Sequence, residues 1–195
     1  MSRFTCASVL DLIESSDENI VRQLLSEFSC PANSEIEFFA RKNAMEFSKR
    51  RITVTHLLLD ENAQVVALLA LTHKAIEIDG SLLSNSLYKK LTRYALPEPD
   101  ANTFLVSAFL IAQVGKNYSN EICNEKLGNE IMQAAFDIIS DVQSKVGGRV
   151  VYLECDKSKE KLLDFYTNEH NRFIKFRERY DSQEKITYNQ LFRIL

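Results

Sequence analysis

The chain has 195 residues, of which 45% are hydrophobic and 26% are charged, and its formal net charge is -3. This length suits one domain spanning residues 1–195, and the composition excludes a disordered chain. A negative net charge gives no general attraction to phosphate, so a nucleic acid would have to bind through a local basic patch.

The cysteines and the chain start predict where the protein resides. The cysteines are far apart in the sequence and, like the histidines, show no metal-ligand spacing, so neither a disulfide framework nor a metal site is expected. The first residues turn acidic too early for a signal peptide, and no apolar run reaches the roughly 20 residues of a membrane span. We therefore expect a soluble cytoplasmic protein with no membrane partner. The residues concerned are Cys6, Cys30, Cys123, Cys155, His56, His73 and His170.

The first half of the chain is predicted to form a short strand, two helices and a β-hairpin. The helices are indicated by apolar residues at helical spacing, and Ser34 can cap the second of them. The hairpin strands are rich in β-branched and aliphatic residues and flank a turn at residues 60–63. The predicted bounds are strand 4–9, helices 18–28 and 34–49, and strands 52–59 and 65–78.

The second half alternates between helices and strands. An inserted helix at 81–94 is followed by a nearly continuous apolar strand at 104–112, and Gly147 and Gly148 end a long amphipathic helix that starts at Gly128. The order predicts an α/β domain with a mixed sheet in which two β–α–β steps place neighbouring strands parallel. The remaining predicted elements are strand 149–154, helix 158–170, and strands 173–177 and 186–195.

Two stretches carry residues that are candidates for ligand binding or catalysis. Residues 110–132 lead from a buried strand into a long helix with Gly128 in its first turn, where free backbone N–H groups and the helix dipole can bind phosphate. A tight strand-to-helix turn would show the same pattern. In the second stretch, Tyr166 lies beside Phe165 on the apolar face of helix 158–170. It can be a core residue whose hydroxyl lies at the edge of the apolar core, or it can be a general acid.

Together, these stretches and the order of elements resemble the GNAT family, the Gcn5-related N-acetyltransferases that use acetyl-coenzyme A. The family holds the coenzyme A pyrophosphate with a loop of the pattern Q/R-x-x-G-x-G/A, which matches residues 123–128. Only Gly128 agrees; Cys123 stands where Gln or Arg is usual, and Lys126 where the first glycine is usual. The resemblance implies a single GNAT domain, with a mixed, mostly antiparallel sheet of six to seven strands, flanking helices and splayed parallel central strands.

The resemblance also assigns roles to residues. Tyr166 matches a family tyrosine that protonates the departing coenzyme A thiolate, although Asn171, Arg172 and Phe173 replace the glycine–phenylalanine pair that often follows. Glu154, at the end of the fifth strand, would accept the proton of the amine directly or through water; the alternative is a solvated carboxylate. The implied coenzyme contacts are Gln113, Val114, Gly115, Lys126, Leu127, Gly128 and Asn129.

The function that the resemblance implies is transfer of an acetyl group from acetyl-coenzyme A to a primary amine of a small molecule or peptide. One alternative is an inactive GNAT-fold module that binds coenzyme A or a protein. Another is a toxin-like acetyltransferase acting on aminoacyl-tRNA, because the inserted helix is similar in layout to that branch. RNA would be bound by converging basic residues, which otherwise form a solvated face. The strand 186–195 is expected at a sheet edge, where it could pair in a homodimer.

Overall fold

The structure is a computed structural model that describes residues 4–99, 101–119 and 127–195. Within these residues the chain forms seven strands and seven α-helices. The strands are β1 (Thr5–Ser8), β2 (Val54–Leu59), β3 (Val65–Asp79), β4 (Thr103–Lys116), β5 (Val150–Asp156), β6 (Ile174–Asp181) and β7 (Ile186–Ile194). The helices are α1 (Val9–Ser15), α2 (Glu18–Ser26), α3 (Ser34–Phe38), α4 (Ala44–Lys49), α5 (Asn85–Leu91), α6 (Leu127–Val146) and α7 (Glu160–Thr167).

The strands form one sheet in the order β1-β2-β3-β4-β5-β7-β6. β4 and β5 pair in parallel, with Ala108–Leu110 opposite Val150–Tyr152. The pairs β1–β2, β2–β3, β5–β7 and β6–β7 are antiparallel. The predicted α/β class and the mixed, mostly antiparallel sheet are thereby confirmed, whereas the splay of β4 and β5 stays a prediction.

The chain divides into two compact units. The first comprises Met1–Thr72 and Ile111–Asp141, and the second His73–Leu110 and Val142–Leu195. Each unit has its own buried apolar cluster, so each has a local source of hydrophobic stabilisation. The prediction of a single domain stays a prediction. The first cluster includes Val21, Phe28, Leu57 and Leu68, and the second includes Ile78, Phe104, Tyr152 and Phe192.

The position of β7 corrects two predictions. β7 lies between β5 and β6, so the second β–α–β step does not produce neighbouring strands, and residues 186–195 are not a sheet edge. The physical reason is the composition of the last two strands. β7 is mostly buried, whereas β6 alternates charged, exposed residues and is therefore suited to the edge.

Two local features of the first half were missed. The short helix α1 follows β1 directly, and Ser8 caps it by accepting a hydrogen bond from the Asp11 N–H at 3.0 Å. Two turns are too few for periodicity to reveal a helix. The predicted helix 34–49 is interrupted by a π-helical turn at Phe39–Asn43.

The C-terminus of α6 is where the glycines predicted it. Gly147 has a φ of 78°, and its N–H donates to the Gln143 carbonyl at 2.9 Å. Only glycine adopts this left-handed conformation without a steric penalty, so the pair ends the helix before β5. No helix in the described ranges is both long and apolar enough to span a membrane.

Candidate functional site

The carboxyl end of β4 is anchored by Asn117, which is only 4% exposed. Its Nδ2 donates to the Val65 carbonyl and its backbone N–H to the Val66 carbonyl, both at 2.8 Å. Its Oδ1 accepts hydrogen bonds from the Ser29 N–H at 2.9 Å and from the Ser119 N–H at 3.1 Å. These bonds fix the direction in which the chain leaves β4.

Gly115 on β4 packs closely against Ile36 of α3 and against Phe28. A Cβ at this position would lie 2.5 Å from Ile36 Cγ2 and 3.4 Å from Phe28 Cζ. Glycine is therefore required for packing against the first turn of α3. The neighbouring Gln113 and Val114 are half-buried strand residues. The predicted contact of these three residues with the pantetheine arm stays a prediction.

The helix α6 begins as the sequence predicts, with Gly128 as its second residue. Leu127 is buried, whereas Asn129 is exposed at this helix start. The helix has 20 residues, so its dipole is fully developed at this end. Lys126 and Cys123 lie outside the described residues. The pyrophosphate-binding role of the segment stays a prediction.

Tyr166 lies in the last turn of α7 and is only 6% exposed. Its ring packs edge-on against Phe165 and Phe173, with ring centroids 5.3 and 6.0 Å away. Within the described residues its hydroxyl makes no hydrogen bond. Burial raises the pKa of Tyr166, and the charge of an ionised Cys155 would raise it further. The hydroxyl therefore keeps its proton at neutral pH.

The turn after α7 explains the departure from the family pattern. Arg172 adopts a φ of 55°, the left-handed conformation that glycine reaches without strain. The turn is held by Asn168, whose Oδ1 accepts hydrogen bonds from the N–H groups of His170 and Asn171. Phe173 N–H then donates to the Tyr166 carbonyl at 3.0 Å. Side-chain hydrogen bonds thus hold a conformation for which glycine is usually required.

Glu154 is bound by three donors. Arg179 Nη2 lies 2.9 Å from Glu154 Oε2, Gln190 Nε2 lies 2.6 Å from Oε1, and the Tyr152 hydroxyl donates a short hydrogen bond to Oε1. Burial alone would raise the pKa of Glu154, but the hydrogen bonds from Arg179, Tyr152 and Gln190 outweigh it and lower the pKa to about 2. Such a carboxylate is a weak base at neutral pH.

Two of the three donors around Glu154, Arg179 and Gln190, come from strands that follow it in the sequence, whereas Tyr152 is on β5 itself. Arg179 also binds Asp181 at 2.7 Å, and Arg177 donates a short hydrogen bond to Gln190. Lys74 lies over the Tyr152 ring, 5.3 Å from its centroid. Sequence reasoning missed this polar network because the order of β5, β7 and β6 brings its members together.

Cys155 and Asn189 form a second buried polar group that sequence reasoning missed. They are directly opposite each other in the β5–β7 ladder, and both are buried. In the part of the chain that the structure describes, neither side-chain polar atom of Asn189 makes a hydrogen bond of ordinary geometry. A signal was present in the sequence: Asn189 and Gln190 are adjacent amides within a strand that is otherwise largely apolar.

The basic residues are partly neutralised. Arg41 pairs with Glu37 at 2.9 Å and Lys49 with Glu18 at 2.6 Å. In the part of the chain that the structure describes, no group of histidines, cysteines and carboxylates could hold a metal ion. Several exposed cations form no ion pair within the described residues: Lys42, Arg50, Arg51, Lys89, Lys90 and Arg93.

Comparison with known proteins identifies the fold. No family model and no curated protein matches the sequence. Among solved structures, AtaT complexed with acetyl-methionyl-tRNAfMet is 14% identical, with a TM-score of 0.65 over 98% of this chain and 94% of that one. A tyrosine-to-phenylalanine mutant of KacT is 15% identical, with a TM-score of 0.65 over 99% and 95% of the two chains. AtaTR bound with acetyl-coenzyme A is 14% identical, with a TM-score of 0.58 over 97% and 94%. The chain therefore has the GNAT fold that these solved structures share.

Proposed function

We propose that this chain, which has the fold of the GNAT acetyltransferases, transfers an acetyl group from acetyl-coenzyme A to a primary amine. The observation that carries the proposal is Tyr166, a buried tyrosine beside the end of β5 whose hydroxyl is protonated and engages no other described residue. Departure of a thiolate is accelerated when a positioned acid supplies a proton, and Tyr166 is suited to this role.

The coenzyme would be held by backbone groups rather than by a basic pocket. We assign the pantetheine arm to the amides of Gln113, Val114 and Gly115, one of which would polarise the thioester carbonyl. The first-turn amides of α6, at Leu127, Gly128 and Asn129, would bind the pyrophosphate, with Lys126 adding charge. In support, AtaTR, which has this fold, has been solved with acetyl-coenzyme A.

The amine must lose a proton, and Glu154 is a poor acceptor for it. An amine has a pKa of about 8–10, and a carboxylate with a pKa of about 2 gains little from taking its proton. We infer that water removes this proton. Glu154 would instead hold the side chains of Tyr152, Gln190 and Arg179 in place.

A second candidate acceptor is the amine of an aminoacyl-tRNA. The observation that favours it is the complex of AtaT with acetyl-methionyl-tRNAfMet. The exposed cations without ion pairs, including Arg50 and Lys90, could contact RNA phosphates. This acceptor remains a primary amine, so the chemistry assigned to Tyr166 is the same for both candidates.

Substituting Tyr166 by phenylalanine tests the enzyme proposal. Tyr166→Phe removes the acid and keeps the ring packing, so we expect kcat to fall by about 10²–10⁴-fold. The Kd of acetyl-coenzyme A, measured by calorimetry, should remain unchanged. Tyr180→Phe is the matched control because Tyr180 is an exposed tyrosine, 64% accessible, on β6.

Three outcomes would contradict parts of the proposal. Unchanged transfer by Tyr166→Phe would remove the acid assignment. Binding that is equally strong for S-acetylpantetheine, which lacks the pyrophosphate, would remove the assignment of the pyrophosphate to the first turn of α6. Absence of binding at millimolar acetyl-coenzyme A would favour the inactive module, whose function would then depend on a protein partner.

A further inference from the structure

The Asn189 side chain is a buried polar group with unsatisfied hydrogen-bonding capacity. It is only 1% exposed, and within the described residues neither its Oδ1 nor its Nδ2 makes a hydrogen bond of ordinary geometry. Leaving such a group unpaired costs about 1–3 kcal/mol, so native proteins rarely keep one without a bound water molecule or a function. An apolar residue of similar size would be more favourable for stability alone.

The strand register places this amide opposite Cys155, the residue that follows Glu154 on β5. Asn189 is opposite Cys155, so the two side chains are on the same face of the sheet, with Cβ atoms about 4.5–5.5 Å apart. The amide lies near the Cys155 sulfur without making a hydrogen bond of ordinary geometry to it. The helix α7, which carries Tyr166, contacts β5, which carries Cys155, and the charge of an ionised Cys155 would act on the Tyr166 hydroxyl.

The Cys155 thiol and the Asn189 amide differ in what they can contribute chemically. Burial raises the pKa of the Cys155 thiol, so this residue is a small, neutral, weakly polar neighbour and not a nucleophile. Asn189 has both a donor and an acceptor, as does the Tyr166 hydroxyl. One water molecule that binds both would satisfy the amide and fix the direction of the hydroxyl proton.

We propose that Asn189 is a positioning residue for Tyr166 and orients its hydroxyl through a bound water molecule held beside Cys155. This inference rests on the proposed function for its effect on catalysis. Asn189 acts through Tyr166 and does not itself contact the substrate. The hydrogen bond, however, can be measured without any reaction.

The first experiment observes the hydroxyl directly. In protein with ¹³C-labelled tyrosine, the Cζ resonance of Tyr166 is identified by its loss in Tyr166→Phe, and its position responds to hydrogen bonding at the hydroxyl. Asn189→Leu, which removes the amide at similar volume, should shift this resonance. Thr55→Val is the matched control, because Thr55 on β2 is also buried with an unpartnered hydroxyl. A Tyr166 resonance that does not move in Asn189→Leu, or moves equally in Thr55→Val, would overturn the proposal.

The second experiment measures catalysis in a double-mutant cycle. Asn189→Leu should lower kcat by about 10-fold and leave KM unchanged, and it should have no further effect in a Tyr166→Phe background. Equal losses in both backgrounds would mean that Asn189 acts independently of Tyr166, and the proposal would be wrong. If Asn189→Leu does not fold, Asn189→Ala removes the same amide without added bulk. If the wild-type protein shows no acetyl transfer, the proposed function fails, whereas the resonance shift still decides the role of Asn189.

Discussion

At the scale of single residues, Glu154 connects stability to pH. Its pKa of about 2 lies below the 4.5 of an unperturbed glutamate, so the folded state favours the ionised form. The stabilisation is fully present above about pH 4.5 and is lost as the pH falls through about 2, with an upper limit of about 3 kcal/mol. Urea unfolding between pH 2 and 6 should therefore show a smaller loss of stability in Glu154→Gln than in wild type. An equal pH dependence in both proteins would contradict the lowered pKa of Glu154.

Substitution of Glu154 also tests whether this carboxylate is the catalytic base or only holds neighbouring side chains in place. If Glu154 were the base, Glu154→Gln would lower kcat/KM by about 10²-fold or more and remove an acidic limb from its pH profile. Because its carboxylate is already bound by Arg179, Tyr152 and Gln190, we expect a loss below about 10-fold and an unchanged profile above pH 6. Glu178→Gln is the matched control, since Glu178 is an exposed glutamate that pairs with Lys157 and Lys175. A loss as large as that of Tyr166→Phe would restore the predicted role of Glu154 as base.

At the scale of elements, the anchor at the end of β4 should determine both stability and coenzyme binding. Asn117→Ala removes hydrogen bonds to Val65, Ser29 and Ser119 and leaves their partners unsatisfied, so unfolding should require about 2–3 kcal/mol less. The proposed coenzyme-binding residues Gln113–Gly115 immediately precede this anchor, so we also expect a Kd for acetyl-coenzyme A raised at least about fivefold, equivalent to roughly 1 kcal/mol.

Ser119→Ala provides the comparison for this anchor. It removes the hydrogen bond from the Ser119 hydroxyl to Asn117 Oδ1 and keeps the other contacts, so we expect a loss below about 1 kcal/mol. Both quantities are accessible from urea unfolding and calorimetry on the same samples. Equal effects of the two substitutions would indicate that the Asn117 side chain does not anchor the strand.

Most elements could be predicted from the sequence, because the long ones carry their own periodicity. β3 and α6 were predicted to within one residue of their observed bounds. The turn at 60–63 indicated where β3 begins, and Gly147 indicated where α6 ends. The helix α1 was missed because it is two turns long, and the π-helical turn at Phe39–Asn43 because an extra residue in a helix leaves no compositional sign. Strand order was the harder problem: placing β7 beside β5 depends on which strand is the more apolar, a comparison between elements.

At the scale of the whole molecule, the site was predictable only where one segment carries the information. Tyr166 and Gly128 could be named as candidates because each lies in a recognisable stretch of helix, and their roles stay predictions. The Glu154–Arg179 pair was not, because three strands must assemble before the two side chains meet. Asn189 was passed over for the same reason: an asparagine in a strand acquires significance only when its burial and its opposite residue are known.

The charge distribution of the molecule yields a test of the acceptor. With a net charge of -3, the chain has no general attraction to RNA, so an aminoacyl-tRNA acceptor requires local contacts from cations such as Arg50 and Lys90. Arg50→Glu combined with Lys90→Glu should then lower kcat/KM for aminoacyl-tRNA by about 10-fold or more and reduce its salt dependence by about two phosphate contacts. Acetylation of a small amine should stay within about twofold, because that substrate needs no phosphate contact.

Lys161→Glu combined with Lys185→Glu separates a local contact from an effect of total charge. It makes the same change in net charge at two other exposed lysines, on α7 and in the β6–β7 turn. If Arg50 and Lys90 contact RNA phosphates directly, only the first double variant loses activity toward tRNA. Equal losses in both would indicate long-range repulsion, since RNA responds to the whole field of the protein. If neither variant changes the rate with tRNA while a small amine is acetylated, the acceptor is the small amine, and the exposed cations form a solvated surface.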